Sequence, residues 1–258
     1  MDVKQRFSLE GKRALVTGAS KGIGLGMARA IGEAGADVTL VARNEDELAG
    51  AAASLKDTGR KVGIAPFDLK NVNGIGAWFD SEIVKKHGAP DILVNNAGMT
   101  KRMPAHELPL KDWDEIITVN LSSVFALSQA FAKERFAAGK KGKIVNTASL
   151  MTAASRPGTS AYTASKGGIG QLTKALAVDW ASKGIWVNAV APGYIETPLT
   201  KPLKDDPEFD AWVQKRCPLG RWGTPEDLAW PVVFLASPAS DFITGEILFV
   251  DGGWMATF

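Results

Sequence analysis

Short β-branched runs alternate with longer, alanine-rich amphipathic runs almost from one end of this chain to the other. "KRALVT" (12–17), "DVTLVA" (37–42), "KVGIAPF", "DILVNN" (91–96), "GKIVNTAS" (142–149), "IWVNAVAPG" (185–193) and "EILFVDGG" (246–253) read as strands. "GIGLGMARAIGEAG" (22–35), "NEDELAGAAASLKDTG" (44–59), a stretch from Asn71 to Lys86, "DWDEIITVNLSSVFALSQAFAKERFAA" (112–138) and "SAYTASKGGIGQLTKALAVDWASKG" (160–184) carry helical periodicity. Strands that are apolar on both faces and separated by helices require a parallel sheet wound in βαβ units. Right-handed crossovers then make an α/β, doubly wound sheet the expected fold. No linker, repeat or low-complexity segment interrupts the pattern, so residues 1–258 read as one domain. The exception is an irregular, Pro- and charge-rich insertion at 194–224, expected as a substrate-side lid.

Composition narrows the function classes. A net charge of +2, with Lys and Arg scattered, gives no nucleic-acid or membrane surface. The densest basic run, Lys140, Lys141 and Lys143, reads as a solvated loop flanking a strand. The N-terminus has no secretory pattern, which makes a soluble cytoplasmic protein the default. One cysteine allows no internal disulfide, and two histidines argue against a His-based metal site or a Ser-His-Asp triad. Any acid–base chemistry must fall to other side chains.

The first strand runs into "TGASKGIG", Thr17 to Gly24, and the next helix begins inside that motif. A tight turn could use glycine for packing alone. A glycine-rich turn after the first strand of a βαβ unit also offers free amides and a helix dipole to a phosphate, and that reading is the stronger. Gly18, Ser20, Lys21, Gly22, Ile23 and Gly24 form the candidate cradle. At the end of the second strand, an NAD enzyme usually offers an acid to the ribose 2′-hydroxyl. Ala42 stands there instead, followed by Arg43, and a guanidinium suits a phosphate. NADP(H) is therefore expected over NAD(H), with Glu45 and Asp46 as opposing signals.

Only two tyrosines occur, and Tyr162 precedes Lys166 by one helical turn, so both project from one helix face. With "TGASKGIG", "NNAG" (95–98), Asn120 in "VNL", Ser149, "YTASK" (162–166) and "PG" (192–193), the chain resembles the short-chain dehydrogenase/reductase family over essentially its whole length. The resemblance implies a single Rossmann-type domain with a seven-stranded parallel sheet, assembled as a homotetramer. It implies Asn120, Ser149, Tyr162 and Lys166 as the catalytic set. It places Asp68 at the adenine, Asn95 and Gly98 on the adenosine side, and Lys166 at the nicotinamide ribose. Pro192, Gly193, Ile195 and Thr197 would flank the nicotinamide. Asn120 would hold a water that links Lys166 to solvent.

The chemistry follows from those roles. A free phenol with a pKa near about 10 is a poor base at neutrality, and a cation one turn away should favour the phenolate. Ser149 would hold the substrate oxygen near Tyr162. Lys101, Arg102 and Arg156 stand where a substrate carboxylate could lie, although each could also be an ordinary solvated side chain. Finer similarity in "NNAGMTKR", "SRPGTSAYTASKGG" and the 200–228 stretch resembles the gluconate 5-dehydrogenase branch, implying interconversion of D-gluconate and 5-keto-D-gluconate. Alternatives are the 2-dehydro-3-deoxy-D-gluconate 5-dehydrogenase branch, another carbonyl reductase such as one for 3-oxoacyl thioesters, and a non-catalytic nucleotide-binding regulator. An intact Asn-Ser-Tyr-Lys set argues against the last.

Overall fold

Seven parallel strands form one sheet in the order β3-β2-β1-β4-β5-β6-β7 in this computed structural model, which describes residues 2–257. The strands are β1 (Arg13–Thr17), β2 (Asp37–Val41), β3 (Val62–Ile64), β4 (Ile92–Asn95), β5 (Gly142–Thr147), β6 (Ile185–Pro192) and β7 (Ile247–Val250). Their side chains alternate between two cores, as the two-residue period of a strand requires. Ala14 and Val16 of β1, with Ile92 and Val94 of β4, face one apolar layer, while Leu15 and Leu93 face the other. The sequence pattern of near-continuous apolar strands therefore has its expected cause: both faces are covered.

The helices are α1 (Val3–Phe7), α2 (Gly22–Glu33), α3 (Glu45–Ser54), α4 (Ile75–Trp78), α5 (Lys85–His87), α6 (Leu110–Ile117), α7 (Ser123–Ala137), α8 (Ser160–Trp180), α9 (Lys201–Lys204), α10 (Pro207–Arg216) and α11 (Pro225–Ala236). On the first face, Met27, Ala28 and Ile31 of α2 pack with Leu228, Ala229 and Val232 of α11. On the second, Leu127 and Phe131 of α7 and Leu176 of α8 pack with Phe79 and Ile83. The α6–α7 rod passes by length and composition as a membrane span. Half of that window is buried inside the fold, which accounts for its apolarity here.

Local signals explain several boundaries. Asn44 caps α3 by accepting from the Glu47 amide, and Glu45, Asp46 and Glu47 fill its first turn. Thr224 and Asp227 make a capping box that starts α11, with Pro225 in the first turn. The helix expected over 112–138 is interrupted by a π-helical turn, Thr118–Ser122. A second such stretch, Phe79–Val84, lies between α4 and α5.

Two expectations are corrected. The 194–224 segment is not irregular: it contains α9 and α10. Asp206 caps α10 by accepting from Glu208 and Phe209, and Lys215 and Arg216 occupy its last turn. Lys143 is not solvated either. Its ammonium lies buried, donating to the Ser237 carbonyl and Ser240 Oγ, 2.8 Å from Asp241 and over the Trp186 ring. Asp241 is remote in sequence, so the composition of the basic run gave no hint of it.

Candidate active site

Strand order reverses between β1 and β4, and the crevice at their carboxyl ends is where an open α/β sheet receives a ligand. The glycine turn fills that position. Gly18 and Gly22 have φ of +63° and +59°, a backbone region that side chains rarely adopt. Gly24 packs so tightly that a Cβ would stand 2.2 Å from the Gly18 carbonyl oxygen. No side chain caps the N-terminus of α2, whose preceding residue is Lys21. Its first amides are thus left for another acceptor, and a tight turn under an uncapped helix end fits a diphosphate. Thr197 lies across from the turn, 3.6 Å from where a Gly22 Cβ would be.

The residues expected on the adenosine side lie at or beyond the ends of β2, β3 and β4, next to the turn after β1. Ser20 Oγ and Lys21 Nζ both donate to the Glu47 carboxylate, each at 3.0 Å. That carboxylate is held below its ordinary pKa by Lys21 and Ser20, with a longer-range pull from exposed Arg43. Asp68 follows β3 and accepts from the Lys70 amide. The Asn95 side chain turns into a buried network, donating to Ser128 Oγ and Asn146 Oδ1, so only its main chain is left toward the crevice. The sequence reading missed its neighbour. Asn96 Nδ2 donates to the carbonyls of Thr17 and Gly18, while Thr17 Oγ1 accepts from the amides of Asn96 and Ala97. This lattice ties β4 to the glycine turn. Its only sequence signal was the doubled Asn of "NNAG".

At the other end, Pro192 closes β6, and the Gly193 amide donates to the Val250 carbonyl. Gly193 approaches Asp251 so closely that a Cβ would stand 2.8 Å from its Cα. Ile195 is buried and bridges to Gly223. Gly98 faces Asn120 and Lys166, with a hypothetical Cβ 3.4 Å from Asn120 Oδ1 and 3.8 Å from Lys166 Nζ.

Asn120 and Lys166 meet at Gly98, with Tyr162 beside Lys166 and Ser149 beside Tyr162. Lys166 is buried on α8 and donates to the Thr147 carbonyl at 2.6 Å. Desolvation lowers its pKa to about 8. Lys166 Nζ lies 5.7 Å from the centre of the Tyr162 ring. Ser149 follows β5 and caps the short turn Leu150–Thr152. Thr152 Oγ1 donates to the Lys166 carbonyl, which locks that turn to α8. Asn120 sits in the π-helical turn with its amide engaged at both ends: Oδ1 accepts from the Met99 amide, and Nδ2 donates to the Met99 carbonyl and Ser165 Oγ. Its side chain clamps the segment after β4 that carries Gly98.

The expected depression of the Tyr162 pKa by Lys166 is not what the geometry produces. Burial pushes the phenol up, opposed first by the Ser149 hydroxyl and then by the charge of Arg102. No hydrogen bond of ordinary geometry ties Tyr162 Oη to another group among the described residues, so Ser149 acts on it as a near neighbour. In this state the Tyr162 phenol keeps its proton at neutrality.

Of the three basic groups, Lys101 is spoken for. It pairs with Asp112 and Glu115 at 2.8 and 2.7 Å, and Glu115, which also meets Lys70, is lowered to about 2. Arg102 and Arg156 are different. Arg156 donates to Tyr194 Oη at 3.0 Å and lies over the Phe209 ring of α10. Tyr194 in turn packs against Phe209, Trp212, Trp222 and Trp254. Arg102 is lowered by desolvation and by the like charge of Arg156, and it feels both Tyr194 and Tyr162. Neither guanidinium meets a carboxylate within ion-pair distance among the described residues. Two uncompensated guanidinium groups beside a phenol make an anion-seeking pocket.

A family model described as "Enoyl-(Acyl carrier protein) reductase" matches residues 18–255. The chain is 44% identical over 251 residues to gluconate 5-dehydrogenase of Gluconobacter oxydans, covering 96% of both chains. It is equally, 44%, identical over 250 residues to 2-dehydro-3-deoxy-D-gluconate 5-dehydrogenase of Escherichia coli, covering 97% of this chain and 98% of that one. A crystal structure of a gluconate 5-dehydrogenase from Burkholderia cenocepacia, in complex with NADP and tartrate, superposes with a TM-score of 0.95 at 43% identity, covering 100% of each chain.

Proposed function

The chain belongs to the short-chain dehydrogenase/reductase family, as an NAD(P)-dependent oxidoreductase acting on a CH–OH group, and from that premise we propose that it uses NADP(H) to interconvert D-gluconate and 5-keto-D-gluconate. The observation that carries the substrate class is the Arg102–Arg156 pair, uncompensated, with Arg102 within electrostatic reach of Tyr162. A sugar acid supplies the missing carboxylate and places its far hydroxyl toward the phenol. The relative crystallised with NADP and tartrate supports both halves of this reading. Arg43 and Lys21, with no acid at position 42, support the 2′-phosphate.

When bound, the cofactor gives or takes the hydride at the substrate carbon. Everything else falls to this chain's own residues. The uncapped start of α2 and the left-handed glycines seat the diphosphate. In the reductive direction, Tyr162 Oη gives its proton to the carbonyl oxygen while Ser149 Oγ hydrogen-bonds that oxygen and holds it in line. Lys166, anchored on Thr147 and 5.7 Å from the centre of the Tyr162 ring, would hold the nicotinamide ribose. Arg102 supplies the positive charge that favours the phenolate left behind. In the oxidative direction the proton returns to Tyr162 from the C5 hydroxyl.

The test is a substrate panel followed at the reduced-nicotinamide absorbance band. We expect kcat/KM with NADPH and 5-keto-D-gluconate to exceed every other pairing. A higher value for 2-dehydro-3-deoxy-D-gluconate with NAD+ would replace this reading with that of the equally similar relative.

A further inference from the structure

Glu47 occupies the donors that a 2′-phosphate needs. It lies in the first turn of α3, pinned there because Asn44 Oδ1 accepts from its amide at 2.9 Å. From that place one carboxylate oxygen accepts from Ser20 Oγ and the other from Lys21 Nζ, both at 3.0 Å. Arg43 contributes a third, weaker attraction. Ser20 and Lys21 in the turn after β1 and Arg43 after β2, with alanine where an acid would bind a ribose hydroxyl, form an anion seat. In this structure the anion is the chain's own side chain.

We propose that Glu47 is an internal competitor for the cofactor's 2′-phosphate and so sets how strongly the enzyme discriminates NADP(H) from NAD(H), an inference that rests on the NADP(H) reading above. To bind, the phosphate must take Ser20 and Lys21 from Glu47 and then sit beside the displaced carboxylate. Both effects oppose a phosphate and leave a plain ribose hydroxyl almost untouched. The Lys21 and Glu47 side chains are 60% and 44% exposed, so water screens the competition and its size is modest. Glu47 therefore weakens the phosphorylated cofactor selectively, holding the enzyme closer to dual use than Arg43 and Lys21 alone would.

The experiment is direct binding, by calorimetry or tryptophan quenching, of NADP+, 2′,5′-ADP, NAD+ and 5′-AMP to the full chain and to Glu47→Gln. Glutamine keeps the length and can still accept from Ser20. NADP+ and 2′,5′-ADP should bind about threefold to tenfold tighter to the variant, and NAD+ and 5′-AMP should change less than about twofold. The gain should shrink as salt is raised. Unchanged or weaker binding of the two 2′-phosphate ligands overturns the proposal, as does equal tightening of all four. If the wild type prefers NAD+ and Arg43→Ala leaves the ratio unchanged, the cofactor reading falls instead. The 2′,5′-ADP to 5′-AMP ratio in Glu47→Gln still decides the role of Glu47.

Discussion

Lys166 Nζ donates to the main-chain oxygen of Thr147 at 2.6 Å, a bond that fastens α8 to the end of β5 inside the protein. It places a buried cation beside Tyr162, and burial makes that cation costly. A member of the candidate catalytic set is therefore set against stability.

The sign of that cost can be measured. The Lys166 ammonium is lowered to about 8, against about 10.4 in an unfolded chain. Below about pH 8 both states hold the proton and the fold carries the desolvation. Between about 8 and 10.4 the unfolded chain keeps a proton that the fold has shed, so this group's contribution to stability rises with pH. Lys166→Met should abolish turnover yet raise Tm at pH 7 by about 2–6 °C, part of the gain being offset by the Thr147 oxygen losing its donor. Thermal scans from pH 7 to 10.5 should show the gain shrinking. A lower Tm at every pH would mean that the hydrogen bond outweighs the buried charge.

Tyr162 titrates in the opposite sense, raised by burial against the pull of Ser149 and Arg102. Its phenol is therefore protonated at neutrality, as reduction requires. Keto-acid reduction should hold a flat kcat/KM between about pH 6 and 8, whereas alcohol oxidation should keep climbing past about pH 9. Tyr162→Phe should lose about 10²- to 10⁴-fold in kcat in both directions. Its Kd for NADPH should stay within about threefold, since the ring is kept. Retention of most of kcat removes Tyr162 from the mechanism.

The sheet and the Tyr162–Lys166 face were legible because they rest on local periodicity, of two residues in the strands and one turn in the helix. What escaped depended on partners far along the chain. Lys143 read as solvated because its partners Ser237, Ser240 and Asp241 lie far along the chain, 94 or more residues away in sequence. The 194–224 segment read as irregular although Asp206-Pro207 and Lys215-Arg216 mark both ends of α10. Its apolar residues are spent on Tyr194 and Trp254, so no simple helical stripe shows. The Tyr162 pKa was misjudged for a related reason: spacing reveals a neighbouring charge but not the depth of burial.

Asn96 and Asn120 hold the walls of the crevice, so their loss should register first in stability. Asn120→Ala strips partners from both the amide and the carbonyl of Met99. We expect a cost of about 1–3 kcal/mol in urea unfolding, and a similar cost for Asn96→Ala. Asn96→Ala should also weaken NADP+ binding severalfold by loosening Thr17 and Gly18, with Tyr162-dependent pH behaviour retained. Full stability in both variants would show that water replaces the lost amides.

Arg102 and Arg156 can be separated because only Arg102 acts on the phenol. Either change to Ala should raise KM for 5-keto-D-gluconate by about 10- to 100-fold, as expected when a charged partner of a bound carboxylate is removed. Arg102→Ala should also move the alkaline limb of oxidation to higher pH, since a positive charge that favours the phenolate has gone. Arg156→Ala should leave that limb in place. Tyr194→Phe, which removes the hydroxyl that accepts from Arg156 but keeps the ring among Phe209, Trp212, Trp222 and Trp254, should reproduce a milder form of the Arg156 effect. A neutral carbonyl substrate serves as the control. If its KM rises as much as that of the sugar acid, the two guanidinium groups shape the pocket without reading a carboxylate, and the assignment to a sugar acid fails.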